Sequence, residues 1–366
     1  MPASTRSPTR SNRCWSGPSA TRSPDTRPSS SPGYCGDHVR SLPGGRVKRL
    51  RGLWSAIDPF VLLILTALVL GLVLPLSGPV LDGVTTVGDV AIFVLFLVYG
   101  MRLRTTEVLG GLRNWRLQGG ILASTYLLFP ALGVLIGWAT EPLVGAAFAA
   151  GLLYLSLLPS TVQSSVAFVS VARGNVAGAI CAATVSNVVG MVLTPLLVLW
   201  LMGASGATGW GGLQSVLLQL LLPFVIGQLL QPFVGEWVRA HAHLTKVLDR
   251  GTVVLLVFGA VAHATADGVW GQVTPLTLVV LLAVSAFLLT AVLAATWWGG
   301  QGLGLDVEDR IALLMCGSKK SLATGLPMAL VLFPAATAAT IAVPVIIFHQ
   351  LQLVVCAALA RRFAAR

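Results

Sequence analysis

The chain has 366 residues; 55% are hydrophobic and only 10% are Asp, Glu, Lys or Arg. Soluble domains carry about 25% charged residues, so a water-soluble fold is excluded and a polytopic membrane protein is indicated. The net charge of +11 does not point to nucleic acid, because the basic residues crowd the N-terminal region and the short loops, as a topology signal places them.

Residues 1–46 are rich in Ser, Pro, Arg and Gly and almost free of aliphatic side chains. Such a stretch cannot bury a core and is expected to be disordered. It lacks the apolar centre of a secretory signal. A start codon assigned too far upstream would also account for it, since Val47-Lys48-Arg49-Leu50-Arg51 reads as a beginning, basic and next to the first span. Residues 47–366 form the membrane domain.

A helix needs about 20 apolar residues to cross about 30 Å of hydrocarbon. Ten stretches qualify, at roughly 58–77, 86–103, 117–138, 143–172, 175–202, 212–235, 249–270, 275–299, 309–333 and 336–360. The fourth and ninth are long enough to be broken or strongly tilted. Loop charges support the count. Lys48, Arg49 and Arg51 precede the first span, and the next loop has Asp82 without a base. Arg102, Arg104, Arg113 and Arg116 follow, then Glu141 alone, then Arg173, then an uncharged loop at 203–211. Arg239, Lys246 and Arg250 come next, then Asp267 alone, Arg310, an uncharged turn near 334, and Arg361, Arg362 and Arg366. Every second loop is free of Lys and Arg, which is the positive-inside pattern with both termini cytoplasmic.

Ten spans divide into five and five. An odd repeat starts its second copy from the opposite side, the arithmetic of an inverted repeat. The halves would cover about 58–202 and 212–360, and their fourth members would meet. Those two carry the polar interruptions. The fourth contains Leu158-Pro159-Ser160-Thr161-Val162-Gln163-Ser164-Ser165. The ninth contains Gly317-Ser318-Lys319-Lys320-Ser321-Leu322-Ala323-Thr324-Gly325-Leu326-Pro327. Pro159 and Pro327 remove a backbone donor, and Gly317 and Gly325 permit tight backbone, so all four are expected helix breaks. Paired interruptions at matching positions of two halves point to a transport site. Hydroxyls of Ser160, Thr161, Ser164, Ser165, Ser318, Ser321 and Thr324, with Gln163, supply ligands for ions or a substrate.

Only four lysines occur in the chain, and Lys319 and Lys320 are two of them. A lysine at the bilayer centre costs about 2.5–3.5 kcal/mol on insertion scales. The pair therefore faces protein or a watery cavity, or one of them snorkels to an interface. Adjacent helical residues point about 100° apart, so the two are expected to differ in role; Lys320, one turn from Thr324, is favoured as the cavity lysine. Asn187 in the fifth span, beside Thr184 and Ser186, either bonds neighbouring helices or lines the cavity. His349 and Gln350, with Gln352, sit in the tenth span; His349 is either a proton acceptor or a packing group. Asp89 and His263 read as interfacial, and Trp297-Trp298 as belt anchors. Cys14, Cys35, Cys181, Cys316 and Cys356 are isolated, without metal spacing or a disulfide framework.

The phrases Gly100-Met101-Arg102-Leu103, Leu158-Pro159-Ser160-Thr161-Val162-Gln163-Ser164-Ser165-Val166 and Gly174-Asn175, and above all the Gly317–Pro327 phrase, resemble the bile acid:sodium symporter superfamily, more narrowly its SBF-like branch of sodium-dependent transporters. The resemblance covers about residues 50–360. It implies a core domain in which broken fourth and ninth helices cross, and a panel domain built on the first, second, sixth and seventh. It also implies organic-anion substrates coupled to sodium. A sodium site would draw on Ser164, Ser165 and Ser318. The glutamate that the ninth helix of bile-acid symporters supplies is missing, since the region reads Cys316-Gly317-Ser318-Lys319-Lys320-Ser321. An ammonium in place of that cation is the alternative, with coupling to protons or none.

The resulting expectation is an all-α secondary carrier of a small organic anion in the cytoplasmic membrane, with lipid and that anion as partners and no cofactor beyond a sodium ion. A membrane regulator or sensor that keeps the fold is the second reading. No metal cluster, Ser/His/Asp set or carboxylate pair supports an enzyme.

Overall fold

Long apolar runs punctuated by Gly and Pro leave the backbone little choice but helix, because hydrocarbon offers no partner for an unpaired N–H or C=O. The computed structural model describes residues 59–74, 76–104, 114–203, 214, 217–266, 268 and 274–366, and contains no strand among them. The 1–46 stretch, Lys48, Arg49, Arg51, Arg113, Asp267 and the loop at 204–211 lie outside the described residues.

Twelve helices of nine residues or more are described: α1 (Pro59–Val73), α2 (Pro79–Arg102), α3 (Trp115–Val144), α4 (Ala146–Leu157), α5 (Gln163–Val171), α6 (Val176–Met202), α7 (Leu218–Ala240), α8 (Ala242–Ala266), α9 (Pro275–Gly302), α10 (Val307–Gly317), α11 (Leu322–Leu332) and α12 (Ala335–Ala364). Seven of them, α2, α3, α6, α7, α8, α9 and α12, are long and apolar enough to cross a bilayer, so the chain is a multi-pass membrane protein. The fourth and ninth apolar stretches are each two short helices, α4 and α5 around residues 158–162, and α10 and α11 around 318–321. Gly317 closes α10, whereas Gly325 and Pro327 lie inside α11 and do not break it.

Helix starts follow local chemistry. Asn114, Asn175, Thr274, Asp306 and Ser321 each accept a hydrogen bond from a backbone N–H three residues on, a cap typically contributing about 1 kcal/mol. Gly78, at φ +56°, and Pro79 start α2 seven residues before the expected boundary; proline suits the first helical position. The charged stretch at 236–248, expected as a loop, is helical except at His241. Arg239 and Lys246 stay on helix there because long basic side chains reach the interface while their stems cover apolar surface.

Packing sorts the helices into two sets. α7 runs along α2, and α8 packs on α1 and α2. The close approach of α2 and α7 depends on two glycines: a Cβ on Gly100 would lie 2.2 Å from the Phe224 carbonyl oxygen, and one on Gly227 would lie 2.1 Å from that of Leu97. The other set gathers α3, α4, α5, α6, α9, α10, α11 and α12, and meets the first through contacts of α8 with α11 and α12 and of α6 with the first turn of α7. Phe129, Leu152, Tyr154, Met328 and Phe348 are buried at its centre.

Candidate functional site

The two non-helical segments lie against each other and satisfy one another's backbone. The Ser321 N–H donates to the Pro159 carbonyl at 2.9 Å. Ser160 Oγ donates to the Cys316 carbonyl at 2.5 Å, and Ser165 Oγ to that of Met315 at 3.2 Å. From α6, Ser186 Oγ accepts the Ser160 N–H at 3.1 Å, and Asn187 Nδ2 donates to the Ser160 carbonyl at 2.7 Å. On α3, Ser124 Oγ reaches the Gly317 carbonyl at 2.8 Å. Tyr154 of α4 donates to the Gly325 carbonyl at 2.6 Å, and Tyr126 of α3 to that of Ser186 at 2.5 Å. Irregular backbone at membrane depth survives on this condition, that its groups are paired inside the protein.

Lys320 fills the centre. Its side chain is 1% exposed. Nζ donates to three carbonyls: Thr125 at 2.9 Å, Ser156 at 2.8 Å and Leu158 at 2.7 Å. A lysine ammonium has three donors, and all are used. The Ser156 and Leu158 oxygens are free because α4 ends there. Thr125 lies in a π-helical turn, Ser124–Leu128, a deviation that leaves carbonyls unpaired along the helix. The Phe129 ring lies 4.1 Å below the ammonium. Gln352 holds the main chain of the same residue from both sides: Oε1 accepts the Lys320 N–H at 2.9 Å, and Nε2 donates to its carbonyl at 2.8 Å. His349 Nδ1 sits 2.9 Å from that Nε2.

Lys319 is 0% exposed yet differently provided. Its Nζ has one hydrogen bond among the described residues, to the Ser164 carbonyl at 3.0 Å, and rests 4.0 Å from the Phe168 ring centre. Beside it the hydroxyls of Thr161, Ser164 and Ser165 bond one another, Thr161 Oγ1 lying 2.8 and 2.9 Å from the two serines. Thr324 Oγ1 and Gln350 Nε2 are buried without a hydrogen-bond partner. The two lysines, both buried, differ in their hydrogen bonding. Lys320 is saturated by backbone oxygens, and Lys319 keeps donors to spare.

The three serines expected at a sodium site are not drawn into one cage. Ser318 Oγ turns back to the Leu314 carbonyl of its own helix at 2.5 Å, while Ser164 and Ser165 share Thr161. Three carbonyls, those of Thr125, Ser156 and Leu158, converge instead on Lys320 Nζ. No group of three or more His, Cys, Asp or Glu that could hold a metal ion occurs among the described residues.

Two positions escaped the sequence reading, and the part of a third was not foreseen. Asp249 of α8 accepts from the Tyr99 hydroxyl and from Gln163 Nε2. Asp309 at the start of α10 accepts from Asn114 and Asn175, at 2.5 and 2.7 Å, and so fastens the caps of α3 and α6 to α10. Gln352, rather than its neighbour Gln350, is the clamp on Lys320. The Gly174-Asn175 phrase was the only local signal for any of these.

An all-helical membrane domain whose two interrupted helices meet around a buried lysine is built as a membrane transporter. The chain belongs to the SBF-like CPA transporter family, whose model matches residues 58–365, within the bile acid:sodium symporter superfamily. It is 40% identical over 311 residues to the Pseudomonas aeruginosa protein PA2026, covering 84% of this chain and 93% of that one. It is also 40% identical over 315 residues to the Escherichia coli protein named "Putative symporter YfeH" (85% and 94% covered). Sodium/bile acid cotransporter 7-B of Xenopus laevis is 24% identical over 316 residues, with 84% and 91% covered.

Proposed function

We propose that this protein is a secondary active carrier of a small organic anion, with the Lys320 ammonium standing where a coupling cation would otherwise bind. The observation that carries the reading is the three-carbonyl cradle around Nζ. Discontinuous helices in transporters offer such freed carbonyls to Na+ or H+, and here a tethered cation takes them. Lys319, with donors left over and a hydroxyl cluster beside it, is the group for the anionic part of the substrate. Cation coupling, as in the relatives named as symporters and sodium cotransporters, would then use fewer ions than a site with a free cation, or none.

The packing supports a ten-span, five-plus-five inverted repeat, counting α4 with α5 and α10 with α11 as single interrupted spans. α1 on α8 and α7 on α2 are the same pairing once the first two spans are exchanged with the sixth and seventh. In this frame α1, α2, α7 and α8 are the panel and the remaining helices the core, with the ends bearing Arg102, Arg239, Arg310 and Arg361 in the cytoplasm. The saturation of Lys320 also favours a second reading, a sensor in which both breaks are pinned and the fold does not cycle.

Flux in proteoliposomes separates the two. Saturable uptake of carboxylated or sulfated organic anions, equal in sodium and potassium buffer and lost in Lys319→Met, is expected for the carrier. Absence of saturable flux in every buffer, with anion-dependent stabilisation retained, would leave the sensor.

A further inference from the structure

Asp249 and Asp309 are both buried carboxylates, 8% and 7% exposed, but only Asp309 stands where the backbone favours a charge. It lies in the first turn of α10, where free N–H groups and the helix dipole favour an anion. Asp249 is the eighth residue of α8, and the dipole effect does not reach past the first turn. The hydrogen bonds it accepts come from two neutral donors. The Tyr99 hydroxyl of α2 donates to Oδ1, and Gln163 Nε2 of α5 donates to Oδ2 at 2.5 Å. Arg102, closing α2, and Arg250, the next residue, act on it through space, and the Arg250 guanidinium lies over the Phe60 ring of α1, 5.1 Å from its centre. α1, α5 and α11 carry no ionisable side chain. Neither Glu236 nor Arg239 of α7 nor His349 of α12 is among the groups that act on it. A carboxylate so placed within a membrane helix is a functional group by default, and proton transfer is one of the uses such groups serve.

The bond to Gln163 crosses from the panel to the core. Gln163 is itself exposed, so Oδ2 is bonded at the edge of the contact and not sealed behind it. Gln163 also opens α5, and the carbonyl of the next residue, Ser164, accepts from Lys319 Nζ at 3.0 Å. One side-chain bond and one peptide therefore separate Asp249 from the ammonium assigned to the anion. A proton on Oδ2 forms an O–H there and turns that oxygen from an acceptor into a donor facing the Gln163 N–H, another donor. The link then survives only if the amide turns over, as a bond between neutral groups about half as strong.

We infer that Asp249 is a proton-binding site at the panel–core contact, and that the proton it takes is the coupling ion carried with the anion. One proton with one monovalent anion moves no net charge. The inference rests on the carrier reading for its purpose, but its first test needs no substrate. Hydrogen exchange of the α5 amides, corrected for the intrinsic effect of pH, is followed from mildly alkaline to mildly acidic buffer. Wild type is expected to exchange about tenfold faster in acid, the factor between a hydrogen bond to a charged acceptor and one to a neutral acceptor. Asp249→Asn, which mimics the protonated acid, and Gln163→Leu, which lacks the link, are each expected to be fast and indifferent to pH. A flat wild type, or a pH response that survives in both variants, overturns the site. If neither variant folds, Tyr99→Phe must shift the wild-type response to higher pH by about one unit, since it removes a donor to the carboxylate; an unmoved response overturns the site equally. The second test is uptake of sulfated organic anions, which stay ionised and bring no proton of their own, into proteoliposomes. An inward proton gradient is expected to drive it, and a protonophore or Asp249→Asn to abolish that drive. Flux that ignores the gradient overturns the coupling and leaves the carrier. A pH-sensitive contact without flux in any buffer sinks the carrier and leaves the proton site.

Discussion

Truncating Lys320 to alanine removes the ammonium and leaves the carbonyls of Thr125, Ser156 and Leu158 facing one another in a buried space. Removing one partner of a buried charged network costs about 3–5 kcal/mol, so the apparent melting midpoint in detergent should fall clearly. The vacated cradle is lined with carbonyl oxygens. If sodium enters with a dissociation constant of about 10 mM, about 100 mM sodium returns roughly 1.4 kcal/mol through RT ln(1 + [L]/Kd). The assay is the melting midpoint of wild type, Lys320→Ala and Lys320→Met in sodium chloride against choline chloride at equal ionic strength. Wild type should be indifferent to sodium. Lys320→Ala should start low and recover part of its loss in sodium only. Lys320→Met, which fills the volume with apolar atoms, should start low and not recover. Sodium stabilisation of wild type that disappears in Lys320→Ala would refute the reasoning, because the lysine would then be supporting a sodium site instead of occupying one.

Lys319→Met should change the midpoint by less than about 1 kcal/mol, since replacing a weakly paired buried charge by an apolar side chain is often neutral; stabilisation by organic anions should vanish, read as loss of the anion-induced midpoint shift. Gly227→Ala should destabilise by about 1–3 kcal/mol, the usual cost of overpacking, because its Cβ meets backbone and not a movable side chain; thermal unfolding checks it. Asp309→Ala should cost about 3 kcal/mol, as hydrogen bonds to a charged group contribute about 1.5–3 kcal/mol each, and hydrogen exchange should rise first in the opening turns of α3 and α6.

Periodicity and punctuation made the helices legible. Apolar run length and loop charge are read along the chain without knowledge of packing, and Pro159 marked its break because a missing N–H is a property of one residue. Gly325 and Pro327 misled for the complementary reason. Gly325 is small so that Leu158 can approach, a Cβ there meeting Leu158 Cδ1 at 2.4 Å, and Pro327 sits five residues into α11. Both answer tertiary demands that look like breaks in one dimension. The lysine roles were illegible on the same principle. Lys319 and Lys320 are identical, adjacent and equally buried, and what separates them is which carbonyls α3, α4 and α5 leave free. Asp249 sat at the expected edge of the seventh span, where a carboxylate is unremarkable; only the helical continuation from Ala242 places it inside.

Gln352 grips the peptide groups on both sides of Lys320, not its side chain. The bend of the interrupted strand of protein and the charge placed on it are thus fastened by different hands. A chain of this architecture can change the electrical content of its centre, one residue at a time, without first dismantling the scaffold that holds the centre in shape.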